Sequence, residues 1–136
     1  MYYLGIDLGG TNIVAGIVDE NYKVIAKAKV KTNASRPAEE IVDDMAKVCL
    51  DACKNAGIDI KDVYACGVGS PGAINPVDGI VVTSNNLGFK NLPLAKMLKE
   101  RTGVDFYIEN DANAAAYGEF IAEIGKSFFV FIFGSA

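Results

Sequence analysis

This chain of 136 residues contains no histidine and only three cysteines. An odd number of cysteines without the spacing of a disulfide framework indicates reduced thiols and a cytoplasmic protein. Cys49 and Cys53 lie four residues apart on a predicted helix and could form one edge of a metal site. Because the sequence has no histidine and no second close cysteine pair, the two cysteines are better explained as small buried side chains. The cysteines therefore predict no metal site.

Two further absences exclude classes of partner. The net charge is -4 and the basic residues form no stripe, so no nucleic-acid partner is predicted. No apolar run reaches the roughly 20 residues that span a bilayer, and the opening MYYLGID lacks the basic region of a signal peptide. No membrane partner is expected either. The composition, 51% hydrophobic and 22% charged, is typical of a folded globular domain.

The spacing of apolar residues predicts alternating strands and helices. The predicted strands are 2–7, 11–18, 24–31, 63–68 and 104–108, and the predicted helices are 38–56, 94–102 and 112–124. Short links between the first three strands imply an antiparallel meander, and the lysines of the third favour an edge position. Single helices between later strands imply parallel neighbours. The prediction is a mixed five-stranded α/β sheet with helices on both faces. The stretch 73–92 is predicted to be mostly loop, with a short extended piece at 80–83.

A glycine-rich turn, D-L-G-G-T-N from Asp7, follows the first strand. Gly9 and Gly10 permit positive φ and leave the backbone open to a ligand, and turn N–H groups can hold an anion. Thr11 adds a hydroxyl, and Asp7 could hold Mg²⁺ through water. The stretch predicts phosphate binding; the alternative is a glycine hairpin in which Asp7 bonds the turn amides. It is neither the dinucleotide fingerprint nor a P-loop.

The stretch E-N-D-A-N-A-A-A-Y-G-E, from Glu109, lies where a predicted strand ends and a helix begins. Ligands bind at that edge of α/β sheets. Asp111 could cap the helix, or it could accept the proton of a sugar hydroxyl that attacks a phosphoryl group. Asn110 could bond neighbouring hydroxyls as both donor and acceptor.

Two more loops carry candidate ligand contacts. G-V-G-S-P-G ends at Gly72, and its alternative is an ordinary Pro-Gly turn. S-N-N-L-G-F begins at Ser84, and its amide side chains suit a polyhydroxylated ligand. Phe89 could stack on a sugar ring; the alternative is a polar loop with one apolar anchor.

In this order the four motifs resemble the ROK family of sugar kinases and regulators, and within it the glucokinase branch. The resemblance runs from Tyr3 to about Lys126 and implies an actin-like ATPase (ribonuclease H-like) domain. It implies a hexose substrate, glucose first, with Asp111 as the base that activates the sugar's primary hydroxyl. Glu109 and Asn113 would support the site. The implied sugar contacts are Asn110, Asn86 and Gly72, and the implied contacts to ATP and Mg²⁺ are Asp7, Gly9, Gly10 and Thr11.

The resemblance also implies parts that this chain does not supply. Members of the family continue with a second phosphate loop in a second lobe, a sugar-binding histidine and a zinc cluster. Residues 1–125 are expected to form the N-terminal lobe, and 126–136 to begin a strand toward an absent lobe. Because phosphoryl transfer needs charge stabilisation from both sides, the chain alone is expected to be inactive. The apolar stretch 128–133 implies further chain or a covering molecule, including self-association.

Two other classes stay open. One is the sugar-sensing module of a ROK transcriptional regulator, and the other is an actin-like ATPase domain that binds no sugar. Regulators usually place a helix-turn-helix ahead of this lobe, whereas here the first strand starts at Tyr2 and no basic recognition helix is visible. The pair Asn86 and Asn110 argues against an ATPase without a sugar.

Overall fold

A computed structural model describes residues 1–21 and 23–110. The predicted helix 112–124 and the apolar stretch 128–133 lie outside these residues. In chain order the elements are β1 Tyr2–Leu8, β2 Asn12–Val18, β3 Val24–Lys31, α1 Ala38–Ala56, a 3₁₀ turn Ile60–Asp62, β4 Val63–Ser70, β5 Ala73–Asn75, β6 Ile80–Ser84, β7 Phe89–Leu92, α2 Leu94–Thr102 and β8 Phe106–Asn110.

The main sheet has five strands in the order β3-β2-β1-β4-β8. Its first three strands pair antiparallel, and β4 and β8 continue the sheet parallel to β1. The predicted mixed five-stranded sheet is therefore confirmed. Strand β3 lies at the edge, where its alternating exposed lysines remain in water.

Both described helices cover the same face of this sheet. The connections β3-α1-β4 and β4-α2-β8 step across the sheet in one direction, so crossovers of one hand place their helices together. Accordingly, α1 and α2 pack against each other. Each helix ends at a left-handed glycine, Gly57 at φ 73° and Gly103 at φ 81°. The second predicted helix layer falls on residues 112–124, outside the described part of the chain.

The short extended piece predicted at 80–83 is confirmed as β6, but the loop-rich stretch 73–92 contains more strands than that one. This stretch forms a second, antiparallel sheet in the order β5-β6-β7, whose strands have three to five residues and therefore little periodicity. Phe89 is 3% exposed and belongs to the core, so it anchors its loop and does not offer a ring to a ligand. Strand β8 begins and ends two residues later than predicted, which brings Asn110 into the sheet.

The core lies between the sheet and the two helices. Alternate residues of β1, among them Leu4, Ile6 and Leu8, point into it and are fully or almost fully buried. Among residues 1–21 and 23–110, no helix combines the length and apolar character of a bilayer span.

The three cysteines are free and buried. Burial is the largest cause of their altered acidity: it raises the pKa of Cys66 to about 12 and that of Cys53 to about 11, against an ordinary value of 9.0. The pKa of Cys49 is also raised, well above 9.0, by burial. In the described part of the chain no His, Cys, Asp or Glu cluster could hold a metal ion.

Because a thiol reacts as its thiolate, these three side chains should be inert in the folded protein. We expect iodoacetamide at pH 8 to leave Cys49, Cys53 and Cys66 unmodified for hours, and to modify all three rapidly in urea. Peptide mass spectrometry before and after unfolding measures this directly. Rapid labelling of any of the three without urea would contradict their burial.

Candidate functional site

The carboxyl ends of β1, β4 and β8 meet at one edge of the main sheet. These strands are parallel, and their register aligns Asp7 with Gly69 and Gly69 with Glu109. Strands lie about 4.8 Å apart, so the Cα atoms of Asp7 and Glu109 are roughly 10 Å apart. The D-L-G-G-T-N turn, the loop after β4 and the E-N-D stretch therefore leave the sheet at the same edge, as ligand sites of α/β folds do.

The turn between β1 and β2 is held tightly at Gly9 and is open at Gly10. The N–H of Gly9 donates to the Asn12 carbonyl at 2.9 Å, and a Cβ on Gly9 would lie 2.8 Å from that oxygen. Gly10 is exposed, and a Cβ there would meet none of the described residues within 4 Å other than its chain neighbours. Neither glycine has a positive φ, so the turn does not use the positive φ that glycine permits. The turn needs Gly9 because two backbone segments approach closely.

Asp7 and Glu109 lie on one face of the sheet, on either side of a residue without a side chain. Strand alternation places both opposite the face that carries Ile6 and Ile108. Gly69 stands between them in the register and leaves room beside each carboxylate. Both acidic residues are half-buried. Asp7 thus sits one residue from the end of β1, beside the glycine turn.

Asn110 and Gly72 are in direct contact. The Asn110 Nδ2 donates to the Gly72 carbonyl at 2.7 Å, which ties the end of β8 to the loop after β4. Gly72 has φ 101°, and a Cβ there would lie 2.1 Å from the Thr83 carbonyl oxygen. Only glycine fits this position, because both its backbone angle and the neighbouring backbone exclude a side chain.

Asn86 lies in the exposed turn that follows β6. This turn is closed by the Leu87 N–H, which donates to the Ser84 carbonyl at 3.2 Å, and Leu87 itself is buried. Ser84 packs against Gly72, with its Cβ 3.1 Å from the position of an added Gly72 Cβ. Asn86 therefore lies two positions along the chain from Ser84, the residue that packs against Gly72, and Gly72 in turn accepts the bond from Asn110.

The candidates thus form two groups on one edge. The first comprises Asp7, Gly9, Gly10 and Thr11, and the second comprises Gly72, Asn86 and Asn110. Asp111, the candidate base, directly follows Asn110 in the sequence and lies outside the described residues. Sequence reasoning missed Thr32, a fully buried residue whose hydroxyl donates to the Gly9 carbonyl at 2.7 Å. A lone threonine after an edge strand carries no recognisable signal.

Comparisons with known proteins identify the family to which the chain is similar. The ROK family model matches residues 3–133. The glucokinase of Streptomyces coelicolor is 36% identical over 123 residues, which cover 90% of this chain and 37% of that protein. A putative xylose repressor of a Caldicellulosiruptor species is 30% identical over 116 residues, covering 85% of this chain and 29% of the repressor.

A solved structure gives the same result for the fold. The ROK glucokinase of Streptomyces griseus, crystallised with glucose and AMPPNP, superposes with a TM-score of 0.77 at 35% identity. The match covers 92% of this chain and 37% of that one. The actin-like fold is therefore confirmed. This chain spans just over a third of the length of the glucokinases that it matches.

Proposed function

The chain belongs to the ROK family, and on that premise we propose that the protein containing it is a glucokinase-like, ATP-dependent hexose kinase. It transfers the γ-phosphoryl group of ATP to the primary hydroxyl of a sugar, with glucose as the first candidate. The observation that carries the proposal is the shared sheet edge, where β1 leads into the glycine turn and β8 ends within the E-N-D stretch. The glucose and AMPPNP in the Streptomyces griseus structure support the choice of substrates.

The turn after β1 fits the phosphates of ATP. An anion has room to approach the backbone of Gly10, because a Cβ added there would lie more than 4 Å from the other described residues apart from its chain neighbours. The Asp7 carboxylate supplies an oxygen of the kind that Mg²⁺ prefers, directly or through water. Mg²⁺ bound with ATP would neutralise charge on the phosphates. Asp7, Gly9, Gly10 and Thr11 are thus the proposed nucleotide contacts.

The loops around Asn110 fit a sugar. The bond to Gly72 holds the Asn110 side chain in place before a ligand arrives, which reduces the entropy lost on binding. Asn86 adds an exposed amide nearby. Asp111, adjacent to Asn110 in the chain, accepts the proton from the attacking hydroxyl. That proton transfer makes the sugar oxygen a better nucleophile toward the phosphoryl group.

The activity belongs to the whole protein. Residues 1–125 form the N-terminal lobe in this proposal, with 126–136 leading toward a second lobe that completes the nucleotide site. A cytoplasmic location supplies ATP and keeps the three thiols reduced. Self-association through 128–133 stays a prediction.

The direct test is an assay of the whole protein with ATP and a panel of hexoses. We expect ADP to form only when a hexose is present, fastest with glucose. Calorimetry should detect glucose binding without ATP, which a non-sugar ATPase would not give. The similarity to a xylose repressor makes DNA binding a necessary control. Sugar-dependent DNA binding without ADP formation would reject the kinase in favour of a regulator.

A further inference from the structure

Thr32 holds the turn between β1 and β2 at two points. Its hydroxyl donates to the Gly9 carbonyl at 2.7 Å, and its N–H donates to the Thr11 carbonyl at 2.9 Å. The residue is fully buried, directly after β3. Both contacts are therefore made by a buried donor residue, and together they fix the backbone on either side of Gly10.

The contact to Gly9 also sets the direction of the Gly10 N–H. In a trans peptide the C=O and the N–H point in opposite directions, and the described residues contain no cis bond. Thr32 draws the Gly9 carbonyl toward itself, so the N–H of Gly10 points away from Thr32. Gly10 is exposed, and none of residues 1–21 and 23–110 apart from its chain neighbours comes within 4 Å of an added Cβ, which leaves room for an anion to approach its N–H.

Thr32 is itself held by Arg36, which pairs with Asp44 of α1. The Arg36 guanidinium donates to the Thr32 carbonyl from Nε at 3.1 Å and from Nη2 at 2.8 Å. The same Nη2 pairs with the Asp44 carboxylate at 2.5 Å, in the second turn of α1. Asp44 neutralises Arg36 and orients it, so a chain of contacts runs from the helix through Thr32 to the turn.

We propose that Thr32 is a positioning residue for ATP: it presents the Gly10 N–H to the phosphates by anchoring the Gly9 and Thr11 carbonyls. Thr32 acts through the turn and does not touch the nucleotide. The proposal rests on the proposed function, in which ATP is the ligand of this turn. It assigns the partly buried Arg36 and Asp44 pair the supporting role of holding Thr32.

The test compares two substitutions in the whole protein. Thr32→Val keeps the shape of the side chain and removes the hydroxyl, whereas Thr32→Ser keeps the hydroxyl. For Thr32→Val we expect the KM and the calorimetric Kd for ATP to rise about tenfold, because the Gly9 carbonyl loses its buried donor. The KM for glucose should stay within about twofold. Thr32→Ser should restore the ATP affinity of the unsubstituted protein.

The outcomes distinguish the positioning role of Thr32 from the proposed kinase function. A folded Thr32→Val variant that binds ATP normally, or a Thr32→Ser variant as weak as Thr32→Val, overturns the positioning role alone. An unsubstituted protein that phosphorylates no hexose overturns the proposed function, while a Thr32→Val loss of ATP affinity would still support the positioning role. If thermal melting shows Thr32→Val unfolded, Arg36→Gln replaces it, with a smaller loss of ATP affinity expected. Unchanged ATP affinity in folded Arg36→Gln would then overturn the proposal.

Discussion

Replacing Asp111 with asparagine is expected to lower kcat for glucose phosphorylation by at least about 100-fold in the whole protein. Loss of a positioned general base typically costs between about 10² and 10⁴ in rate. Asparagine has nearly the same size and can still bond a hydroxyl, but it cannot take up the proton. The affinity for glucose, measured by calorimetry, should therefore change by only a few fold. Steady-state kinetics with saturating ATP and glucose give the comparison.

A matched control separates this effect from a general loss of carboxylate charge. Asp51 lies on α1, its side chain is 46% exposed, and it forms an ion pair with Lys47 one turn away. Asp51→Asn should leave kcat unchanged. If Asp111→Asn also retains kcat within a few fold, Asp111 is not the base and the assignment of the site fails.

Replacing Gly72 with alanine is expected to cost stability and sugar affinity together. The new Cβ would lie 2.1 Å from the Thr83 carbonyl oxygen, and alanine disfavours φ 101°. A backbone atom cannot give way as a flexible side chain can, so we expect a loss of more than about 2 kcal/mol in the free energy of unfolding. The displaced loop also releases the Asn110 side chain, so the KM for glucose should rise at least about tenfold. Chemical denaturation and steady-state kinetics measure the two effects.

Gly88 provides a matched control for the Gly72 substitution. It also has a positive φ, 68°, but an added Cβ would meet nothing within 4 Å in the part of the chain that the structure describes. Gly88→Ala should therefore cost only the backbone strain, about 1 kcal/mol, and leave the glucose KM near its original value. Equal effects of the two substitutions would mean that the contact between Gly72 and Thr83 is not what requires glycine.

Long helices and strands with clear periodicity could be predicted from the sequence, because many residues contribute to the pattern of each element. Helix α1 begins and ends where the apolar stripe and Gly57 predict, and the alternation in β3 predicts both its bounds and its place at the edge. The small sheet β5-β6-β7 could not be predicted in the same way. Its strands are too short for periodicity, and they form through pairing with one another.

The candidate site, too, could be predicted from the sequence only in part. Composition and motif order point to Gly9, Gly72 and Asn110, but the reasons for the glycines are tertiary. At Gly9 the constraint is a neighbouring carbonyl, not the positive φ that glycine permits. The bond from Asn110 to Gly72 joins residues 38 positions apart, and that from Thr32 to Gly9 joins residues 23 apart. Such contacts depend on strand order and register, which local patterns do not encode.

The central claim is that a sugar and the phosphates of ATP meet at the sheet edge where β1 and β8 end. A crystal structure of the whole protein with glucose and a non-hydrolysable ATP analogue tests it most directly. The account predicts the glucose primary hydroxyl within about 3 Å of the Asp111 carboxylate, with the nucleotide phosphates beside the Gly10 N–H. Glucose or phosphates bound away from this edge, or on opposite sides of the sheet, would contradict it.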